Sequence, residues 1–235
     1  MSSLQKRQFI PTLLVGLGII ASAVTPLVRQ PPALAQSAFY DVQGHWAKPC
    51  ITRLSQQGII NGYPDGSFRP SLSMNRAEFA TIVAQAFPKA ARTRKPVNFV
   101  DVPTYHWAYN QITAATQTRF LSGYPGYSFK PNQNIPRAQV LVALASGLNY
   151  SPTREVTTTL KANFVDARAI PVYAQKSIAA ATEKRLVVNY PDVKLLNPNK
   201  KATRAEVAAF LCQAIVSSRE ASVVPQQHLA LRMEF

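Results

Sequence analysis

The sequence predicts a mainly α fold built from three consecutive helix-pair repeats. Three observations carry that prediction. One series of short motifs occurs three times in the same order. After each series an apolar stripe recurs at helical spacing. And 18 prolines against 9 glycines point to short elements joined by rigid turns. A chain of 235 residues has room for one ordinary domain or a set of small repeats. Its 47% apolar content suits a packed core and excludes wholesale disorder.

The first segment, residues 1–35, stands apart by composition. Lys6 and Arg7 form a basic start, an apolar run occupies residues 9–28, and no acidic residue occurs. Ala33-Leu34-Ala35 then places small residues where a signal peptidase needs them, which completes the three parts of a secretory leader. Pro11 and Pro26 shorten the helical stretch below the roughly 20 residues that span a bilayer. Cleavage after Ala35 and export are therefore expected, with membrane contact only through an uncleaved leader.

Three units follow, at 36–97, 98–162 and 163–216, with a tail at 217–235. Each opens on Phe-x-Asp: Phe39 to Asp41, Phe99 to Asp101, Phe164 to Asp166. His45-Trp46-Ala47 and His106-Trp107-Ala108 come next, replaced in the third unit by Val172-Tyr173-Ala174. A first helix then shows Ala47, Cys50, Ile51 and Leu54, matched by Ala108, Gln111, Ile112 and Ala115 and by Ala174, Ser177, Ile178 and Ala181. Gly58 is a fitting stop for the first of these. A turn-rich link carries Tyr63-Pro64, Tyr124-Pro125 and Tyr190-Pro191. The second helix has an unbroken i, i+3, i+4, i+7, i+8 stripe: Phe79 to Phe87, Val140 to Leu148, Val207 to Ile215. None of these units buries enough surface alone, so the second-helix stripes are expected to meet in one shared core. Residues 88–97 and 149–162 read as loops between units.

In order and wording these motifs resemble the S-layer homology family: F-x-D-V, H-W-A, G-Y-P-D-G-S-F-x-P, and Arg-Ala-Glu opening the second helix. The first unit is a close match. The second has Gly126 and Gln139 where the motif has Asp and Glu, and the third has a rebuilt turn around 193–197. The resemblance implies a pseudo-threefold trimer of helix pairs that holds cell-wall polysaccharide, or a glycan linked to peptidoglycan, non-covalently. It also implies that the Arg of Arg-Ala-Glu contacts the glycan.

The residues offer their own account. Thr203 with Glu206, and Asn75 with Glu78, have capping-box spacing; Pro136 cannot cap through its side chain. An Arg directly after a cap meets the positive end of the helix dipole, so Arg76, Arg137 and Arg204 are odd choices for stability alone. Free N–H groups and a guanidinium together suit an anion, whereas pairing with Asp41, Asp101 or Asp166 would make these arginines structural. Tyr63, Tyr124 and Tyr190, in turns, suit contact with a pyranose face, and Asp65 joins them as a candidate glycan contact. Trp46 and Trp107 are expected in the core. His45 and His106 lack a recurring third ligand and are expected to be structural or capping, with no metal and no cofactor. Cys50 and Cys212 are free to pair or not in an oxidising compartment.

Lys and Arg outnumber Asp and Glu by 26 to 11, a net +15, which favours an anionic partner. Export removes nucleic acid from consideration. No nucleophile comes with a positioned base, so catalysis is not expected. The tail 228–235 alternates apolar residues like the last strand of an outer-membrane barrel, but a barrel needs at least eight strands; an edge strand is expected. The reading is an exported, non-catalytic envelope protein that binds anionic wall glycan. Its rival is an assembly protein recruiting a protein partner through the tail or the basic loops.

Overall fold

A computed structural model describes residues 39–216 and 226–230. The leader expected over 1–35 and most of the tail lie outside the described residues. Among the described residues the regular elements are helical, with isolated β-bridges and no strand. The helices are α1 (Lys48–Gln56), α2 (Arg76–Ala86), α3 (Tyr109–Gln117), α4 (Arg137–Gly147), α5 (Val156–Asn163), α6 (Val172–Glu183) and α7 (Arg204–Val216). The mainly α class is what the chain adopts.

Each unit begins by locking its own turn. Phe39, Phe99 and Phe164 are buried. Two residues on, Asp41 accepts the N–H groups of Phe68 and Arg69, Asp101 those of Phe129 and Lys130, and Asp166 those of Leu196 and Asn197. The second residue of each pair is left-handed, with φ of 56°, 58° and 50°. None is glycine and each precedes a proline, so the conformation costs about 1–3 kcal/mol, which the paired N–H bonds to a carboxylate offset.

In units 1 and 2 a histidine stands just before the first helix. His45 Nδ1 accepts the N–H of Ala47, and His106 Nδ1 that of Ala108, each at 3.1 Å. Gly58 ends the first of them with φ 68°, and Arg119 and Arg185 hold the same left-handed place in the other units. The second helices carry the expected caps: Asn75 and Glu78 exchange bonds, as do Thr203 and Glu206, while Pro136 makes none.

These contacts set a pH dependence. Burial raises the Asp101 carboxyl, but the Phe129, Lys130 and Ser128 donors outweigh it and hold it below its ordinary 3.8. Burial pulls the His45 imidazole below its ordinary 6.5, against the opposing charge of Asp41. Both groups fold more readily in the deprotonated form, so both contribute stability above their unfolded pKa values and lose it as pH falls. The denaturation midpoint should decline in two steps, one below about pH 6.5 and one below about pH 4. An Asp101→Asn variant should keep the first step and shrink the second; a midpoint flat between neutral pH and pH 3 would contradict this.

Residues 149–162 are not all loop, as the sequence suggested. Helix α5 forms there, capped by Glu155 through the N–H groups of Thr157 and Thr158, and lies on α6. Its only large buried residue is Leu160, too little for a periodic signal.

The units are joined in cyclic order. Met74 donates its N–H to the Ala202 carbonyl, Ala202 to Ile135, and Ile135 back to Met74, at 3.0, 2.8 and 2.9 Å. These are the same position of the three repeats, and all three are buried. The helices follow the same order: α2 lies on α3, α4 on α6, and α7 on α1. So each second helix covers the first helix of the next unit. Phe79, Val140 and Val207 are fully buried in one shared core, and among second helices α4 and α7 lie closest while each second helix packs chiefly on the next unit's first helix. The physical reason is that Ile51, Leu54, Ile112 and Ile178 on the first helices also need cover. Cys50 of α1 and Cys212 of α7 form a disulfide across the last of these pairs, with Cα atoms 5.6 Å apart.

Candidate functional site

Each helix-start arginine crosses into the next unit and clasps its turn. Arg76 donates from Nε to the Phe129 carbonyl and from Nη2 to the Ser122 carbonyl, both at 2.8 Å. Arg204 does the same to Phe68 (2.8 Å) and Asn61 (2.7 Å). Arg137 reaches the Leu196 carbonyl at 2.7 Å, the Val188 carbonyl and the Asn189 side chain. The three side chains are 2–9% exposed. Burial lowers each guanidinium's pKa, opposed at Arg137 by Glu206 and at Arg76 by Tyr124.

None of these bonds goes to Asp41, Asp101 or Asp166. Arginine and aspartate instead grip the same residue from two sides: Phe129 gives its N–H to Asp101 and receives Arg76 on its carbonyl. The acidic position of the second helix completes the clasp. Arg137 pairs with Glu206 at 3.0 Å, a bond joining units 2 and 3, and Arg76 meets Gln139 at the same distance.

The tyrosines differ from unit to unit. Tyr124 has the Arg76 and Lys130 cations each 4.7 Å from its ring centre, and its hydroxyl bonds to Gln139. Tyr63 has Arg69 at 3.9 Å and Arg204 at 5.1 Å. Tyr190 is stacked on Trp46 at 5.3 Å, with His228 of the tail edge-on at 5.2 Å. Asp65 is spent on its own turn, accepting from Ser67 and Arg69; the Ser67 hydroxyl and N–H, with Arg69, pull its pKa down to about 2.

The tryptophans leave the core. Trp107 is 62% exposed and lies against His106, and Trp46 is only half-buried. Both open their first helix on the rim, where Ala47 and Ala108 turn inward instead. The tail contributes as well. Asn189 donates to the His228 carbonyl and Ala230 to the Val187 carbonyl, so Leu229 is buried beside Val188.

Two grooves follow from this geometry. One, about 250 Å³, is lined by Arg76, Tyr124 and Gln139 together with Tyr173 of the third unit. The other, about 370 Å³, holds the matching residues Tyr190, Glu206 and Trp46, with Lys200. Three units thus meet at one groove, and sequence reasoning missed Tyr173 because it stands where the motif has Trp. Asn189 was missed too. A Cβ on Gly62 or Gly123 would run into the Phe39 or Phe99 ring, so those two units need glycine. Unit 3 has Asn189 there, and its side chain holds Arg137 and the Val193 carbonyl.

Residues 38–80, 98–141 and 163–208 match the family model of the S-layer homology domain. The chain belongs to the S-layer homology family. It is 32% identical over 114 residues to a cellulosome-anchoring protein of Acetivibrio thermocellus, covering 46% of this chain and 25% of that protein. It is 26% identical over 199 residues to a surface-layer 125 kDa protein of Lysinibacillus sphaericus, covering 84% and 16%. With an S-layer protein of Bacillus licheniformis the identity is 29% over 195 residues, covering 83% and 22%. The chain therefore spans a quarter or less of the length of these relatives. Membership places it among exported, envelope-associated proteins, and the S-layer homology repeats supply a binding module.

Proposed function

We propose that this S-layer homology chain is a non-catalytic anchor that binds anionic cell-wall polysaccharide, or a glycan linked to peptidoglycan, in the grooves between its units. The observation that carries this reading is the groove at Arg76 and Tyr124. Its wall combines Arg76, Arg94 and Arg119 with two tyrosines and has no carboxylate among the described residues. A pyranose packs against the rings while its acid meets a cation. The name of the cellulosome-anchoring relative supports an anchoring role.

The grooves are unequal in this reading. Tyr124 and Tyr173 make the principal contacts beside the exposed Arg119, and Arg76, whose donors go to Phe129, Ser122 and Gln139, presents its charge from beneath the Tyr124 ring. Arg137 is buried and spends its donors on Leu196, Val188, Asn189 and Glu206, so it serves mainly to hold the units together, while Tyr190, stacked on Trp46, keeps half its surface open to a sugar. Arg204 and Tyr63 form a secondary site beside Arg69, with Asp65 fixing the turn that presents them.

Sedimentation with purified sacculi tests the proposal. The protein should pellet with sacculi that retain their polysaccharide and stay in solution with stripped ones, less strongly at high salt because exposed charge pairs are screened. Tyr124→Ala should weaken pelleting about tenfold, the loss of one good contact, with helicity unchanged. Equal pelleting with stripped sacculi, or full binding by Tyr124→Ala, would sink the assignment.

A further inference from the structure

The cationic groove does not end with the repeat motifs. A second cavity, of about 370 Å³, adjoins the Arg76–Tyr124 groove and shares Arg94, Leu121, Ser122, Gly123 and Tyr124 with it. Arg94 and Lys95 belong to the linker between units 1 and 2, outside the residues that match the family model.

That linker is fastened in place. The N–H groups of Thr93 and Arg94 both donate to the Gln117 carbonyl at the end of α3, at 3.0 and 3.1 Å. The Arg94 side chain donates to the Ser122 hydroxyl at 3.1 Å, while Arg76 occupies the carbonyl of the same Ser122. Two guanidiniums thus flank one residue. Arg76 is buried, and Arg94 and Lys95 are exposed, each lining the cavity. Arg119 lines the groove as a further cation.

Among the described residues, no Asp or Glu lines either cavity. The two acids that units 1 and 3 carry, Asp65 with Glu78 and Asp192 with Glu206, are Gly126 and Gln139 in unit 2. The unit that lacks both acids is the one that receives the linker cations. With no carboxylate to neutralise them, Arg94 and Lys95 have charge to offer a ligand.

We propose that Arg94 and Lys95 form a second anion subsite continuous with the Arg76–Tyr124 groove, selecting a glycan with acidic groups on neighbouring residues over one with a single acid. This rests on the groove reading above and narrows its ligand to a polyanion. Carboxylate and phosphate share the chemistry, so the probes must separate them.

The test is calorimetric titration of the full chain with tetragalacturonate, with a short poly(glycerol phosphate) and with galacturonate monomer. The unaltered protein should bind one of the oligomers at least about tenfold more tightly than the monomer, and which oligomer wins tells carboxylate from phosphate. Arg94→Gln/Lys95→Gln should lose that advantage about tenfold, with its thermal midpoint unchanged. A control, Lys161→Gln/Lys184→Gln, removes the same charge from exposed sites elsewhere and should retain it. Equal losses in both variants, or none in the first, overturn the subsite. Sacculi keep the two proposals apart. If the unaltered protein pellets and the Arg94→Gln/Lys95→Gln variant pellets equally well, the subsite fails and the groove stands. If the unaltered protein does not pellet, the groove reading falls and the subsite with it.

Discussion

Replacing both Cys50 and Cys212 with alanine should lower the stability of the folded units by up to about 5 kcal/mol. The bond joins residues 162 apart, linking α1 of the first unit to α7 of the last. Without it the unfolded chain regains the freedom of a long loop, and in the loop-entropy account that gain scales with the logarithm of the loop. Both sulfurs are in buried side chains. Alanine is the fitting replacement, since Ala84 and Ala145 already occupy the positions equivalent to Cys212. For a domain of this size the change should lower the thermal midpoint by roughly 10–20 °C. Melting curves with and without reductant provide the check. Reductant should bring the native protein down to the variant and leave the variant unmoved. Midpoints within about 2 °C of each other would mean that packing of α7 on α1 suffices alone.

Arg137→Ala should be the most damaging of the three helix-start substitutions, at about 3–5 kcal/mol. The change strands Glu206, which is 8% exposed, beside the unpaired carbonyls of Leu196 and Val188. Lys200 remains within 3.1 Å of Glu206 and softens the loss. Arg204→Ala removes bonds to two carbonyls and strands no directly paired acid, so it should cost less. Arg137→Lys should fall between the two, because a lysine keeps the charge but cannot fork to several acceptors. Urea denaturation of the set measures the order. If Arg137→Ala lies within about 1 kcal/mol of the native protein, the arginines do not fasten the units. Because these arginines hold the turns of neighbouring units, the binding test above relies on Tyr124.

What could be read from sequence was local. The second-helix stripes, the Asn75–Glu78 and Thr203–Glu206 boxes and the Gly58 stop all involve residues a few positions apart, and all are present. What escaped was long-range. Arg76 looked out of place at a helix start because its partners are 46 to 63 residues away, and those of Arg204 are 136 and 143 away. No spacing rule reaches so far. Trp107 was misjudged for a related reason: a large aromatic opening an apolar series suggests a core residue, but only the neighbouring unit decides whether anything covers it. Trp46, at the same motif position, meets Tyr190 from unit 3; Trp107 is left largely exposed. Helix α5 escaped because Thr157 to Thr159 carry no apolar stripe.

The cyclic bonding of Met74, Ala202 and Ile135, with each second helix lying on the following first helix, fixes how many repeats the protein can hold. In an open stack a repeat can be gained or lost at either end, since each added unit brings its own new face. Here both faces of every unit are already taken, and the last is taken by the first. Deleting one unit would leave an α-helical stripe and an arginine without a partner, and a fourth would find no unpaired N–H in the ring to accept it. Loss of any one unit is therefore expected to destabilise the other two, as truncation at the end of an open stack would not.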